Sequence, residues 1–304
     1  MRNSHHRSPP ASPQEWIVGV ALRGVIAGLR RIGPVAASNL GGWIGRTIGP
    51  LLPVSRVADR NLVQAFPDME ATARRRIIRA VWDNLGRNAA ELPHLASFVR
   101  TTSGPGWEIE GEHHLAALVG GGTRALFFSG HFGNWEMILP IAGGLGLRVS
   151  GFYRAASNRT VDRIIQGLRT DAMPPGVSMF AKGAPGARAA LAHLQQGGSL
   201  GLLVDQKMND GIAVPFFGRD AMTAPALAQF ALRFRAPIMP VHVVRLGPAR
   251  FRMICEPPLD VALTGDRATD TRSIATAMNR RLEDWIRAEP ASWLWLHRRW
   301  PKPA

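Results

Sequence analysis

From about residue 105 onward, short apolar runs alternate with longer stretches whose apolar residues recur at helical spacing. The short runs have the length of buried strands, and the longer stretches have the length of helices. The pattern predicts strands at 107–109, 125–129, 147–153, 199–204, 237–244 and 251–255. It predicts helices near 135–144, 160–170, 185–196, 224–235 and 271–288. Such alternation indicates an α/β domain over 105–304, with a mostly parallel sheet flanked by helices.

Before this domain, residues 16–32 are apolar but interrupted by Arg23, Arg30 and Arg31. The longest uncharged run there, 16–22, has seven residues, whereas a helix that crosses a bilayer needs about 20. Arg23 and Arg30 are seven positions apart and share one helix face. We therefore predict an interfacial helix whose arginines meet lipid phosphates.

Two other interpretations of 16–32 stay open at this point. The segment is also compatible with an ordinary amphipathic helix packed on the domain, or with a secretory signal, although arginines are unusual in the apolar part of a signal. The Gly- and Pro-punctuated apolar stretch 40–54 either extends the membrane contact or belongs to the core. Asp68 is predicted to cap a helix that runs towards Glu91.

The domain organisation follows from these patterns. Residues 1–15 are polar and proline-rich, which predicts a disordered tail. Residues 16–104 form a helical, membrane-proximal segment, and 105–304 form the α/β domain.

Composition narrows the classes of function. The chain has 304 residues, of which 46% are hydrophobic, so it is long and apolar enough to bury a core. Its single cysteine, Cys255, excludes an intrachain disulfide and a cysteine-based metal site. The formal charge of +15, nearly all from arginine, favours a polyanionic partner: nucleic acid, anionic lipid or an acidic protein. The zinc-finger, basic-zipper and aromatic-basic motifs of nucleic-acid binding are missing, so no nucleic acid is expected.

The candidate chemistry lies in residues 124–139, RALFFSGHFGNWEMIL. His131 follows the predicted strand 125–129, at the end where α/β sheets commonly place catalytic groups. Glu136 opens the next helix, and the intervening turn would let its carboxylate reach the imidazole. We predict that Glu136 orients one ring nitrogen while the other removes a proton from a substrate hydroxyl. The alternative is a structural histidine beside a helix-start glutamate.

Four further polar residues are predicted to bind substrate: Arg154, Arg169, Asp205 and Gln206. Arg154 and Asp205 each directly follow a predicted strand, and Arg169 ends a helix, where a cation also stabilises the helix dipole. Alternatively, these side chains are simply exposed to solvent or stabilise a turn. Phe216 and Phe217 are expected in the core rather than in the wall of a binding pocket. The segment that carries Trp293, Trp295, Trp300, His297, Arg298 and Arg299 is either a headgroup-facing belt or a structural element.

Several of these stretches together resemble a known family. SGHFGNWE after a buried strand resembles the H-x4-D/E motif of glycerolipid acyltransferases. The surrounding pieces are closest to the bacterial lipid A biosynthesis acyltransferases of the lauroyl/myristoyl type. They are RNL at 60–62, FP at 66–67, WDNLGRNAAEL at 82–92, YR at 153–154, Arg169, VDQK at 204–207, VPFFG at 214–218, AMT at 221–223 and WLHRRWP at 295–301.

The resemblance implies a glycerolipid acyltransferase-like fold and a role in lipopolysaccharide biosynthesis. The donor would be acyl-acyl carrier protein (or acyl-CoA), with no metal or other cofactor. The acceptor would be a hydroxyl of a phosphorylated lipid A precursor at the cytoplasmic face of the inner membrane. His131 matches the base and Glu136 its partner, while Arg169 and Asp205 match polar positions needed for activity. Arg154 and Gln206 lie in matching motifs.

Alternatives to this function stay open on the sequence. Lys207 stands where enterobacterial members can have an acidic residue, so the acceptor could be a lysophospholipid, an ornithine lipid or a phosphatidylinositol mannoside instead. From another class of protein, a non-catalytic basic protein that binds membranes or nucleic acid would also explain the charge.

Overall fold

The computed structural model describes residues 13–119 and 123–301. The predicted disordered tail falls mostly outside this range. Its last three residues, 13–15, form the first turn of a helix, so the tail prediction is wrong for them.

The N-terminal part is helical, as predicted. It contains α1 (Pro13–Ile32), α2 (Pro34–Ile48), α3 (Ser55–Ala65) and α4 (Ala71–Glu91), with short 3-10 helices at Gly49–Leu51 and Leu92–Ser97. The predicted cap at Asp68 is wrong, because α4 starts later and its N-cap is Glu70. Within the described ranges, the helices lack the combination of length and apolarity needed to cross a bilayer.

Glycines bring α2 and α4 into direct backbone contact. A Cβ atom on Gly41 would lie 2.2 Å from the carbonyl oxygen of Gly86, and one on Gly86 would lie 2.1 Å from that of Gly41. Any larger side chain here would force the helices apart. Beside this contact, Asp83 of α4 pairs with Arg46 at 2.7 Å and with Arg87 at 2.5 Å.

A seven-stranded sheet forms the centre of the molecule, and a two-stranded hairpin lies apart from it. The strands are β1 (Gly106–Glu110), β2 (Leu126–Ser129), β3 (Val149–Tyr153), β4 (Ser178–Ala181), β5 (Ser199–Leu203), β6 (Ile212–Phe216), β7 (Arg219–Thr223), β8 (Ile238–Gly247) and β9 (Arg250–Cys255). The order in the sheet is β1-β9-β8-β2-β5-β3-β4, and neighbouring strands are parallel except β8 and β9. The antiparallel hairpin consists of β6 and β7. The mostly parallel sheet is confirmed, whereas the sequence pattern missed β4, β6 and β7.

Helices cover both faces of the sheet, each at a predicted position. They are α5 (Ile138–Gly144), α6 (Arg159–Asp171), α7 (Ala184–Gln195), α8 (Ala226–Phe234) and α9 (Arg267–Ala288). Successive β2 side chains point to opposite faces: Leu126 and Phe128 join one core cluster, and Phe127 joins the other. Phe216 and Phe217 are buried in the first cluster, which confirms their predicted core position.

The first two helices leave much apolar surface uncovered. Trp16 is 63% exposed, Trp43 54% and Leu51, in the 3-10 helix after α2, 81%. The apolar stretch 40–54 therefore divides between core and surface, because Gly41 and Gly42 are buried against α4 while Trp43 and Ile44 face outward. One side of α1 packs on α6, the helix that carries Arg169.

Candidate active site

His131 and Asp205 are brought together by two adjacent parallel strands. His131 lies two residues beyond β2, and Asp205 lies two residues beyond β5. In the register of these strands, Ser129 is opposite Leu203. Both side chains therefore emerge at the same edge of the sheet, where parallel α/β folds commonly bind ligands.

Asp205 holds both the backbone and the ring of His131. The His131 Nδ1 atom is 2.8 Å from Asp205 Oδ1, and the His131 backbone N–H donates to Oδ2 at 2.8 Å. The indole N–H of Trp293 also donates to Oδ2 at 2.8 Å. A carboxylate facing Nδ1 keeps the proton on that nitrogen, which leaves Nε2 with a free lone pair.

The buried carboxylate of Asp205 stays ionised. Its complete burial by itself raises the pKa. The charge of His131 and the hydrogen bonds from it outweigh burial, so the pKa of Asp205 lies well below its usual value. A charged carboxylate is therefore available to stabilise an imidazolium ring.

The predicted hydrogen bond between His131 and Glu136 is wrong. Arg169 of α6 binds both carboxylate oxygens of Glu136, with Nε at 2.8 Å and an Nη atom at 2.6 Å. Glu136 lies in a one-turn 3-10 helix, Trp135–Met137, that directs the carboxylate towards α6. The Asp205 carboxylate occupies the Nδ1 side of the imidazole. The partner of His131 is therefore Asp205, which follows β5, and not Glu136.

Arg169 is thus a partner of Glu136 in this structure. Burial lowers the pKa of Arg169, but the hydrogen bonds and charge of Glu136 outweigh it and raise the pKa above its usual value. The pair is partly accessible, with side-chain exposures of 19% and 15%. Bidentate pairing of this kind fixes both side chains in one geometry.

The other two predicted binding residues also lie at this edge of the sheet. The Gln206 side-chain amide is 3.5 Å from His131 Nε2, beside the free lone pair. Arg154 follows β3, which is the neighbour of β5, and is exposed. The structure therefore brings Asp205 and Gln206 to the imidazole and leaves Arg154 two strands away.

The segment 292–297 completes the site. Phe132 and Trp293 form a β-bridge, and the Leu294 N–H donates to the His131 carbonyl at 3.0 Å. His297 Nε2 lies 3.3 Å from the Asp205 carbonyl, and burial lowers the pKa of His297. Trp293 and Trp295 are fully buried, which supports the structural interpretation of this segment over a headgroup-facing belt. The sequence does not predict Trp293 and His297 as site residues, although both lie in its C-terminal aromatic cluster.

The turn after His131 needs glycine at position 133. Gly133 has φ +50, and a Cβ there would lie 2.2 Å from the Val243 carbonyl oxygen. A side chain at this position would clash with β8 and strain the backbone.

The described residues contain neither a cluster suited to a metal ion nor an exposed cysteine. In residues 13–119 and 123–301, no three His, Cys, Asp or Glu side chains are arranged to hold a metal ion. Cys255 is buried in the core, and burial raises the pKa of its thiol to about 12, so it is a poor nucleophile.

Comparison with known proteins assigns the chain to a family. The family model described as bacterial lipid A biosynthesis acyltransferase matches residues 6–302, nearly the whole chain. No curated protein matches the chain significantly. Because the family is enzymatic, the alternative of a non-catalytic binding protein is not supported. The chain belongs to the bacterial lipid A biosynthesis acyltransferase family and is an acyltransferase.

Proposed function

We propose that this protein transfers a fatty acyl chain from acyl-acyl carrier protein to a hydroxyl of a phosphorylated lipid A precursor. The observation that carries the proposal is the His131–Asp205 pair, which leaves the lone pair of Nε2 directed away from the carboxylate, beside the Gln206 amide. The His131 side chain retains 15% exposure, so a substrate hydroxyl has access to it. Family membership supplies the class of reaction.

In this mechanism His131 is the general base. Nε2 accepts the proton of the acceptor hydroxyl while the hydroxyl oxygen attacks the thioester carbonyl carbon. The ionised Asp205 stabilises the imidazolium that forms. The tetrahedral intermediate then collapses, the C–S bond breaks, and the imidazolium returns its proton to the departing pantetheine sulfur. The products are the acylated lipid and the free carrier thiol.

Gln206 is the side chain best placed to assist at the reacting carbonyl. Its amide lies next to Nε2, where the attacking hydroxyl must approach. An amide N–H at this point can donate to the oxyanion of the tetrahedral intermediate. Asp205 and Gln206 are consecutive, so one turn supplies both the partner of the base and this donor.

Cations at the same edge suit a phosphorylated acceptor. Arg154 follows β3 and Lys207 follows Gln206, and both are exposed. Arg169 is neutralised by Glu136, so we assign it to organising the site and assign phosphate recognition to Arg154 and Lys207. A carrier protein is acidic, and the overall charge of +15 favours its approach.

The exposed apolar surface of α1 and α2 suits an interfacial position at the cytoplasmic face of the inner membrane. Trp16, Trp43 and Leu51 are each more than half exposed, and large exposed apolar areas commonly mark contact surfaces. Arg23 and Arg31 lie among them and can meet lipid phosphates. The other side of α1 packs on α6, so this surface belongs to a helix in contact with the one that carries Arg169.

The test is a transfer assay with defined donors and acceptors. The purified protein is incubated with carrier proteins charged with acyl chains of different length. The acceptors are a lipid A precursor, its dephosphorylated form, a lysophospholipid, an ornithine lipid and a phosphatidylinositol mannoside. Mass spectrometry should show one added acyl chain on the phosphorylated precursor with wild-type protein and none with His131→Ala. If acyl transfer occurs only to another of these lipids, that lipid is the acceptor instead of the lipid A precursor. Wild-type activity of His131→Ala would overturn the mechanism.

A further inference from the structure

A fully buried carboxylate lies behind the turn that carries the catalytic histidine. Glu91, the last residue of α4, is 0% exposed. It accepts hydrogen bonds from Ser38 Oγ at 2.6 Å, Asn134 Nδ2 at 2.9 Å, the Ala249 N–H at 3.1 Å and the Arg245 guanidinium at 2.5 and 2.9 Å. A buried ion needs such a complete set of partners. Among them, Asn134 belongs to the active-site turn.

Arg245 extends this arrangement to two asparagines of α4. Its Nε donates to Asn84 Oδ1 at 2.9 Å, and an Nη atom donates to Asn88 Oδ1 at 2.6 Å. Because both amide oxygens face the guanidinium, both amide nitrogens point the other way. The orientation of each amide is therefore set by the arginine.

Both amide nitrogens converge on a single carbonyl in the turn. Asn84 Nδ2 donates to the Gly133 oxygen at 2.8 Å, and Asn88 Nδ2 donates to it at 2.6 Å. One residue further on, Asn134 Oδ1 accepts from the Glu136 N–H at 3.2 Å. The turn from His131 to Glu136 is thus held from α4 at Gly133 and at Asn134.

We propose that Asn84, Asn88, Glu91 and Arg245 are positioning residues for the transfer reaction, because they fix the turn that places His131 against Asp205 and Glu136 against Arg169. This inference rests on the proposed function. None of the four side chains touches the imidazole in the described contacts, so they act through the turn. A displacement of a reacting group by about 1 Å can cost about 100-fold in rate.

The Asn84→Asp variant tests whether Asn84 positions the catalytic turn or only stabilises the fold. One aspartate oxygen can still accept from Arg245 and adds a charge attraction to it. The other oxygen takes the place of the amide donor and repels the Gly133 carbonyl. We expect kcat per folded molecule to fall about 100-fold, KM for the donor to change less than about threefold, and the acid limb of the pH–rate profile to move.

Asp83→Asn is the matched control, one residue earlier on α4. Asp83 pairs with Arg46 and Arg87, away from the turn. Its loss should lower the melting temperature while kcat and the pH–rate profile per folded molecule stay unchanged. Asn84→Ala, which removes the donor without adding a charge, gives the same test if Asn84→Asp does not fold.

The outcomes distinguish this inference from the proposed function. If His131→Ala is inactive but a folded Asn84 variant keeps wild-type kcat and pH profile, the positioning role is overturned and the mechanism stands. If an Asn84 variant only loses melting temperature, as Asp83→Asn does, the network is merely structural and the inference is overturned. If His131→Ala retains activity, the proposed function itself fails.

Discussion

The Nδ1 atom of His131 lies 2.8 Å from Oδ1 of Asp205, a residue 74 positions later in the chain. The carboxylate five positions after the histidine, Glu136, binds Arg169 instead. The short motif around His131 therefore encodes two different contacts, one for the imidazole and one for a guanidinium. Because Asp205 and Glu136 contact different side chains, replacing each of them should affect activity differently.

Asp205→Asn should reduce acyl transfer by about 10²–10⁴-fold, because a neutral amide neither fixes the tautomer of His131 nor stabilises its imidazolium. The measurement is kcat/KM with a charged carrier protein, after circular dichroism has shown that the variant is folded. A folded variant with more than about a tenth of wild-type kcat/KM would contradict the assignment.

Glu136→Gln should lower activity without moving the acid limb of the pH–rate profile, because the partner of His131 remains in place. Arg169 loses its counter-charge in this variant. The loss of activity should be smaller in Glu136→Gln than in Asp205→Asn. The full profile of kcat/KM against pH checks both statements. A shift in the apparent pKa with Glu136→Gln alone would favour the originally predicted His131–Glu136 pairing.

His242 should make stability depend on pH. Burial first, and then the charge of Arg281, lower the pKa of His242 to about 4, and its ring packs 4.3 Å from Trp285. Between pH 4 and 6.5 the unfolded chain binds a proton that the folded chain does not, so stability falls as pH decreases through this window. Between pH 8 and pH 5 this one group removes about 2 kcal/mol.

His242→Leu should remove that pH dependence. The difference in unfolding free energy between pH 8 and pH 5, from urea titrations, should shrink by about 2 kcal/mol relative to wild type. Exposed His113 provides the control, since His113→Leu should leave the difference unchanged. Equal pH dependence in His242→Leu and wild type would show that this histidine does not titrate as described.

Gly86→Leu should separate α2 from α4. Its side chain would meet the Gly41 carbonyl, and overpacking of a tight interface costs about 1–3 kcal/mol or more. Gly28→Ala, in the interior of α1 with nothing within 4 Å of the added Cβ, should instead be neutral or stabilising. Thermal unfolding compares the two, and an unchanged melting temperature for Gly86→Leu would contradict the close helix contact.

The exposed apolar side chains of α2 and of the 3-10 helix that follows it should contribute to binding of anionic vesicles. Trp43→Ser and Leu51→Ser should each reduce binding about 10–100-fold, from the loss of about 1.5–3 kcal/mol of apolar burial. Leu263→Ser, which changes a 57% exposed leucine after β9, is the matched control and should bind like wild type. Co-sedimentation with phosphatidylglycerol vesicles measures this; equal binding by all variants would exclude this surface.

The periodic pattern predicts the sheet and its helices because the central strands are buried on both faces over much of their length. Such strands appear as continuous apolar runs, as in β2 and β5. β4 is four residues long and partly exposed at the sheet edge, so it gives a weak signal. The hairpin β6–β7 contains Pro215 and several polar residues, which conceal it among loops.

The position of His131 could likewise be predicted from the sequence, whereas its partner could not. His131 was found because it follows a buried strand, and that is a local property. Its pairing with Asp205 depends on β2 and β5 being neighbours, which the order of elements along the chain does not determine. The contact of Trp293 with Asp205 joins two segments 88 positions apart and depends on the complete fold.

The closure of the site by residues 292–297 also has a consequence for biosynthesis. A nascent chain on the ribosome lacks the Trp293 bond to Asp205 and the Leu294 bond to the His131 carbonyl until this segment has emerged. These two bonds to the site therefore form only after translation has passed this point. A chain that terminates before this segment would lack both the indole donor to Asp205 and the backbone donor to His131.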